Sequence, residues 1–160
     1  MRCCGRKVSA SPLAALALLS GLCGGVAVAA EPALIGRWLT EPRDGIIEIS
    51  AQPDGTYQGQ IIGGNAPQRV DEHNPDPSRR QQLLRGQVIL KAMHQDGAGS
   101  WSGGTIYDPD SGHTYKCRIE LLDHDHIRVR GFLGISLLGR SQTWTRYLGS
   151  TLELPPAGTH

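Results

Sequence analysis

Cysteine is nearly missing from the part of this chain that reads as globular. Of the four cysteines, Cys3, Cys4 and Cys23 fall in the first thirty residues, which leaves Cys117 by itself. A lone thiol closes no internal disulfide, so the domain has to hold together without staples. Cys117 reads instead as a small buried hydrophobe on a strand. An excess of charge of one sign is lacking too. Setting aside Arg2, Arg6 and Lys7 leaves 13 of the 16 basic residues against 15 acids, a formal net of −2. No basic face emerges, and binding to nucleic acid has no electrostatic support. No stretch carries a sustained helical stripe, and Ser102, Ser111 and Ser136 have no strand-to-helix turn that would present a nucleophile. Internal repeats and low-complexity segments are absent as well.

What is present begins with a leader. Arg2, Arg6 and Lys7 precede an uncharged apolar run over residues 13–28, and Ala27, Ala29 and Ala30 supply small residues just before Glu31 and Pro32. Together these are the charged start, apolar middle and cleavage site of a secretory signal peptide over residues 1–30. Ser20, Gly21, Gly24 and Gly25 interrupt the run, which disfavours a retained anchor, and Leu22 before Cys23 disfavours lipid attachment. The expected product is a soluble, monomeric protein of the bacterial periplasm. It would hold one domain over residues 31–148 and a disordered tail over 149–160. About 130 residues suffice for one domain burying roughly two-thirds of its unfolded surface.

Short apolar runs separated by turn signals fill that domain. They cover residues 36–40, 45–50, 56–62, 87–93, 101–107, 113–122, 126–133 and 141–148, with Asp44-Gly45, Asp54-Gly55, Asp96-Gly97 and Asp108-Pro109 among the turns. This spacing predicts antiparallel β-structure. Tyr115, Cys117, Ile119 and Leu121 alternate with Lys116, Arg118 and Glu120, and Ile127 and Val129 alternate with Arg128 and Arg130. A short helical turn fits residues 77–84. Eight strands allow a sandwich or a closed barrel. Closure removes the exposed edges, and glycines at 59, 103, 104 and 131 suit barrel corners or close strand approach. Gly36-Arg37-Trp38 near the start and Trp144-Thr145-Arg146 near the end resemble the calycin arrangement of lipocalins and their relatives. There a first-strand tryptophan lies under a last-strand arginine. That resemblance implies an eight-stranded antiparallel barrel, with Trp38, Trp144 and Arg146 as a structural plug at one end.

One connection, residues 63–86, is far longer than a barrel loop needs to be. It contains Asp71-Glu72-His73-Asn74-Pro75-Asp76-Pro77, in which the prolines favour extended neighbours and the Asn and Asp side chains bond to nearby backbone. Asp71, Asn74 and Arg80 are expected to wire this loop into a rigid form; a ligand-gating lid is the functional alternative. These residues, with Ile106-Tyr107-Asp108-Pro109, Arg130-Gly131-Phe132-Leu133-Gly134 and Gly139-Arg140-Ser141-Gln142-Thr143-Trp144-Thr145-Arg146, resemble domain-of-unknown-function family 2147, small exported bacterial proteins. The resemblance runs from about Gly36 to Arg146. The chain departs from it at Gln58, where many relatives carry cysteine, and at Gln82, where a second arginine is common. It implies identity more than activity.

The remaining constellations point away from catalysis. Asp123-His124-Asp125-His126 is spaced as a metal site could be, but it falls where a hairpin must turn. Asp71 and His73 form an acid–base pair only in principle. No metal, cofactor or enzymatic activity is expected. The expected activity is binding or carriage of a small apolar or amphipathic, lipid-like ligand inside the barrel, with Tyr57, Tyr107, Tyr115 and Arg130 as wall residues. The alternative is an envelope assembly module with a solid core; an enzyme would need Asp71, His73 or Asp76 to converge with Arg80. Leu133 and Leu138 bracket an apolar run, residues 133–138, that reads either as a buried bend or as a portal lip or peripheral membrane contact.

Overall fold

Period-two alternation needs a surface to bury one face against, and here the sheet supplies it by closing on itself. A computed structural model describes residues 33–134 and 139–156. Eight strands, β1 (Gly36–Leu39), β2 (Gly45–Ala51), β3 (Tyr57–Gly64), β4 (Val88–Gly97), β5 (Ser100–Asp108), β6 (His113–Leu121), β7 (His126–Phe132) and β8 (Gly139–Arg146), pair in chain order into a closed antiparallel barrel. Trp38 opposite Arg146 and Leu39 opposite Thr145 complete the ring. The sequence expectation of an all-β, eight-stranded calycin-like barrel with one long loop after the third strand is met. Of the helical turn allowed at residues 77–84, a single 3₁₀ turn forms at Pro77–Arg79.

The barrel has two unlike ends. At the one where β1 begins and β8 finishes, Leu34, Trp38, Ile49, Tyr57, Trp101 and Ile127 pack into a solid core. The Arg146 guanidinium carbon stands 4.3 Å from the Trp38 ring centroid. Its nitrogens donate to the carbonyls of Ala33 at 2.6 Å, Ile35 at 3.3 Å and His124 at 2.9 Å. The Trp38 indole donates in turn to the Leu34 carbonyl at 2.9 Å. Gly36 has φ +132°, and a Cβ there would lie 2.9 Å from the Arg146 guanidinium. The glycine of the Gly-x-Trp pattern is therefore the space into which the arginine folds. Replacing Arg146 with alanine removes a cation–π contact and three charge-assisted hydrogen bonds, and should lower unfolding free energy by about 2–3 kcal/mol. Urea denaturation measures this; a change below about 0.5 kcal/mol, typical of neutral surface substitutions, would refute the plug.

Cys117 is 1% exposed on the inner face of β6, and burial pushes its thiol up to about 12. A thiol kept protonated and out of reach is a packing residue, not a nucleophile. One expectation needs correction. The tail was expected to be disordered from residue 149, yet Gly64 donates to the Leu152 carbonyl at 2.9 Å and accepts from the Leu154 amide at 3.0 Å. Tyr147 also donates its hydroxyl to the Thr151 carbonyl at 2.6 Å. The end of β3 outruns its pairing with β4, and the tail takes up the backbone groups left open there. Residues 157–160, and the leader expected over 1–30, lie outside the described residues.

Candidate functional site

The other end of the barrel is hollow. There a cavity of about 510 Å³ opens among the loops that join β1 to β2, β3 to β4, β5 to β6 and β7 to β8. Ile47, Ile61, Ile89, Ile106 and Val129 give it an apolar wall, and Trp144 lies at its inner end. These residues face inward by the strand alternation itself: Val129 pairs with Gln142 and Ile127 with Trp144 across β7 and β8. Gly131, opposite Arg140, adds no side chain to the wall and so leaves room. Gly104 is different, because a Cβ there would collide with the backbone of β4.

The long loop forms one side of the mouth and is firmly tied down. Asp71 is fully buried; its carboxylate accepts from the Asn74 amide at 2.6 Å and from the Tyr107 hydroxyl at 2.6 Å. The Asn74 side-chain oxygen accepts from the Asp76 amide at 2.9 Å, and the Asn74 carbonyl accepts from Arg80 at 2.8 Å. Asp76 caps the 3₁₀ turn through the Ser78 amide, and the hydrogen bonds from Ser78 hold its carboxyl below the usual range. Burial, reinforced by the bond to Asp71, pushes the Tyr107 phenol above its ordinary value, so it stays a donor. Arg69 pairs with Asp110 and fastens the loop to the β5–β6 turn. Leu84 returns from the loop to the cavity wall, 7% exposed. The structure thus brings Asp71, Asn74 and Arg80 into one network, anchored on a cavity residue.

The expected wall residues divide. Tyr107 and Tyr115 line the cavity. Tyr57 does not: it is 8% exposed in the solid end, edge-on to Trp101 at 6.2 Å and 79°. It faces inward as read, but too far along the barrel. Arg130 does not either. It stands opposite Ser141 and donates to that hydroxyl at 2.9 Å, on the outer face that β7 gives to Arg128. The alternation that buries Val129 turns Arg130 out. Trp144, expected in the plug with Trp38, sits instead at the cavity's inner end and donates its indole N–H to Gln142 at 2.9 Å. Gln142, Arg140 and Arg85 were not anticipated. Counting back by twos from Trp144 reaches the first two; Arg85 lies in a loop with no period to read.

Elsewhere, the His124 and His126 rings each bond a neighbouring turn carboxylate, Asp125 at 2.8 Å and Asp123 at 2.9 Å. His73 is exposed beside Glu72. Leu133 is 59% exposed at the mouth, while residues 135–138 of the apolar run lie outside the described residues.

A family model described as "Uncharacterized protein conserved in bacteria (DUF2147)" matches residues 36–146. Among solved structures, protein HP1028 from Helicobacter pylori, described as belonging to the lipocalin family, is similar at TM-score 0.64 and 22% identity, covering 71% of this chain and 82% of that one. At that identity the likeness concerns the fold. No curated protein matches the chain.

Proposed function

This chain belongs to the DUF2147 family of bacterial proteins, and from that premise we propose that it binds and carries one small apolar or amphipathic, lipid-like molecule in the open half of its barrel. The observation that carries this reading is the asymmetry of the interior. One end is packed solid, while the other keeps an apolar cavity of about 510 Å³, within the range of small-ligand sites, roughly 300–1,000 Å³. An assembly module with a filled core would have no reason to hold that volume empty, since unfilled apolar space lowers stability. Burying eight to ten methylenes would contribute ~7 kcal/mol. Lost translational freedom offsets part of this, and micromolar affinity is the expectation. The leader at residues 1–30 supports action in the periplasm. We further propose a monomeric carrier with no catalytic step.

Native mass spectrometry of the protein isolated from the periplasm tests this. The expected spectrum has the leader removed and a bound lipid-sized species that leaves at higher activation energy. A protein of bare polypeptide mass that also fails to take up added alkyl-chain probes would overturn the carriage reading.

A further inference from the structure

The inner face of β8 carries a polar ladder that the apolar wall does not require. Trp144, Gln142 and Arg140 follow one another at two-residue steps from the cavity's inner end to its mouth, and all three line it. The Trp144 indole N–H takes the Gln142 side-chain oxygen at 2.9 Å. That bond fixes which way the amide faces, leaving the NH₂ group as the part available to a guest. No hydrogen bond from it to the described residues accompanies this. Arg140 stands across from Gly131, which offers no side chain to cover it.

The acids near the mouth are engaged. Asp44 accepts from the Thr40 hydroxyl at 2.6 Å, and Asp108 accepts from the Asp110 amide at 3.0 Å and the Ser111 hydroxyl at 2.7 Å. Asp110 pairs with Arg69, and Glu41 accepts from the Thr143 amide at 2.8 Å. Arg140 and Arg85 are the cavity-lining cations with no partner among the described residues. The ladder therefore presents donors and positive charge, beside an apolar wall without either.

We propose that the guest is a single alkyl chain ending in an anion, carboxylate or phosphate. Its chain lies against Ile47, Ile89 and Val129, and its acceptor oxygens meet the Gln142 amide and the guanidinium of Arg140, with Arg85 adding charge at the mouth. This rests on the cavity being a ligand site at all, and the test separates the two claims.

Dodecanoate, dodecyl phosphate, dodecanol and dodecylamine are titrated calorimetrically into the full mature chain, below micelle formation and at mildly alkaline pH where the carboxylate is ionised. At least one anion should bind roughly tenfold or more tightly than the alcohol, as a charge-assisted contact adds about that much. The amine should bind weakest. Arg140→Gln should bring the anion-to-alcohol ratio close to one without weakening the alcohol, whereas Lys116→Gln on the outer face should leave the ratio unchanged. Equal binding of anion and alcohol, preference for the amine, or a ratio that survives Arg140→Gln would overturn this assignment while leaving carriage standing. Failure of all four chains to bind would overturn both.

Discussion

Replacing Asp71 with alanine is expected to lower the unfolding free energy by about 3 kcal/mol. Asp71 is fully buried, and its carboxylate accepts both the Asn74 amide and the Tyr107 hydroxyl. Truncation strands two donors, each costing about 1–3 kcal/mol when left unsatisfied. Together that is about 2–6 kcal/mol, and the partial exposure of Tyr107 holds the sum in the lower half of the range. The melting temperature should fall by more than 10 °C, on the scale of roughly 4 °C or more per kcal/mol for a domain of this size. Tyr107→Phe should cost less, about 1 kcal/mol, because Asp71 keeps Asn74. The double variant should fall short of the summed losses by about 1 kcal/mol, the signature of a shared contact. Amide exchange should rise first in residues 65–87, because the network ties that loop to the barrel. Additive losses, or an Asp71→Ala variant as stable as the parent, would mean that the loop is held some other way.

Filling the cavity should abolish binding while sparing the fold. Gly131 lines the open half of the barrel, and a Cβ placed there lies 3.3 Å from a methyl of Ile106 and 3.4 Å from the Tyr115 Cβ. These contacts are tight but not prohibitive. Gly131→Leu puts about four carbons where a guest would sit. At ~0.8 kcal/mol per methylene, displacing that much guest costs ~3 kcal/mol, more than a hundredfold in affinity. Overpacking should cost about 1–3 kcal/mol of stability, so the protein still folds. Val129→Phe fills the same space from the neighbouring inward position and serves as the second variant. If both fold and both still bind alkyl chains at parental affinity, the cavity is not where those chains go.

Most of the architecture was readable because a strand writes its burial into every second residue. Cys117, Ile119 and Val129 are inward as their alternation with Lys116, Arg118 and Arg128 requires, and the Trp38 and Arg146 ends meet as the end motifs imply. Alternation reports the side of the sheet, however, and not the depth along the barrel. That is why the sequence points Tyr57 to a cavity wall although it belongs to the solid end, and Trp144 to the plug although it belongs to the cavity. Arg130 had the signal against it, since its neighbours already assigned it to the outer face. The mouth was the least legible part. Arg85 and the Arg69–Asp110 pair lie in or bind a loop whose path depends on hydrogen bonds between residues far apart in sequence. The order of the C-terminal segment is hidden from the sequence for a related reason. Tyr147 holds Thr151 locally, but Leu152 and Leu154 are ordered by the end of β3 that β4 leaves open, far away in sequence.

The central claim, a solid half and a receptive half in one barrel, is tested most directly by methyl and indole N–H NMR of residues 31–160 titrated with dodecanoate. The account predicts shift changes at Ile47, Ile89, Ile106 and Val129 and at the Trp144 indole, with Ile49, Ile119 and Ile127 left in place. Changes centred on those last three residues, or spread over the outer face of the sheet, would contradict it.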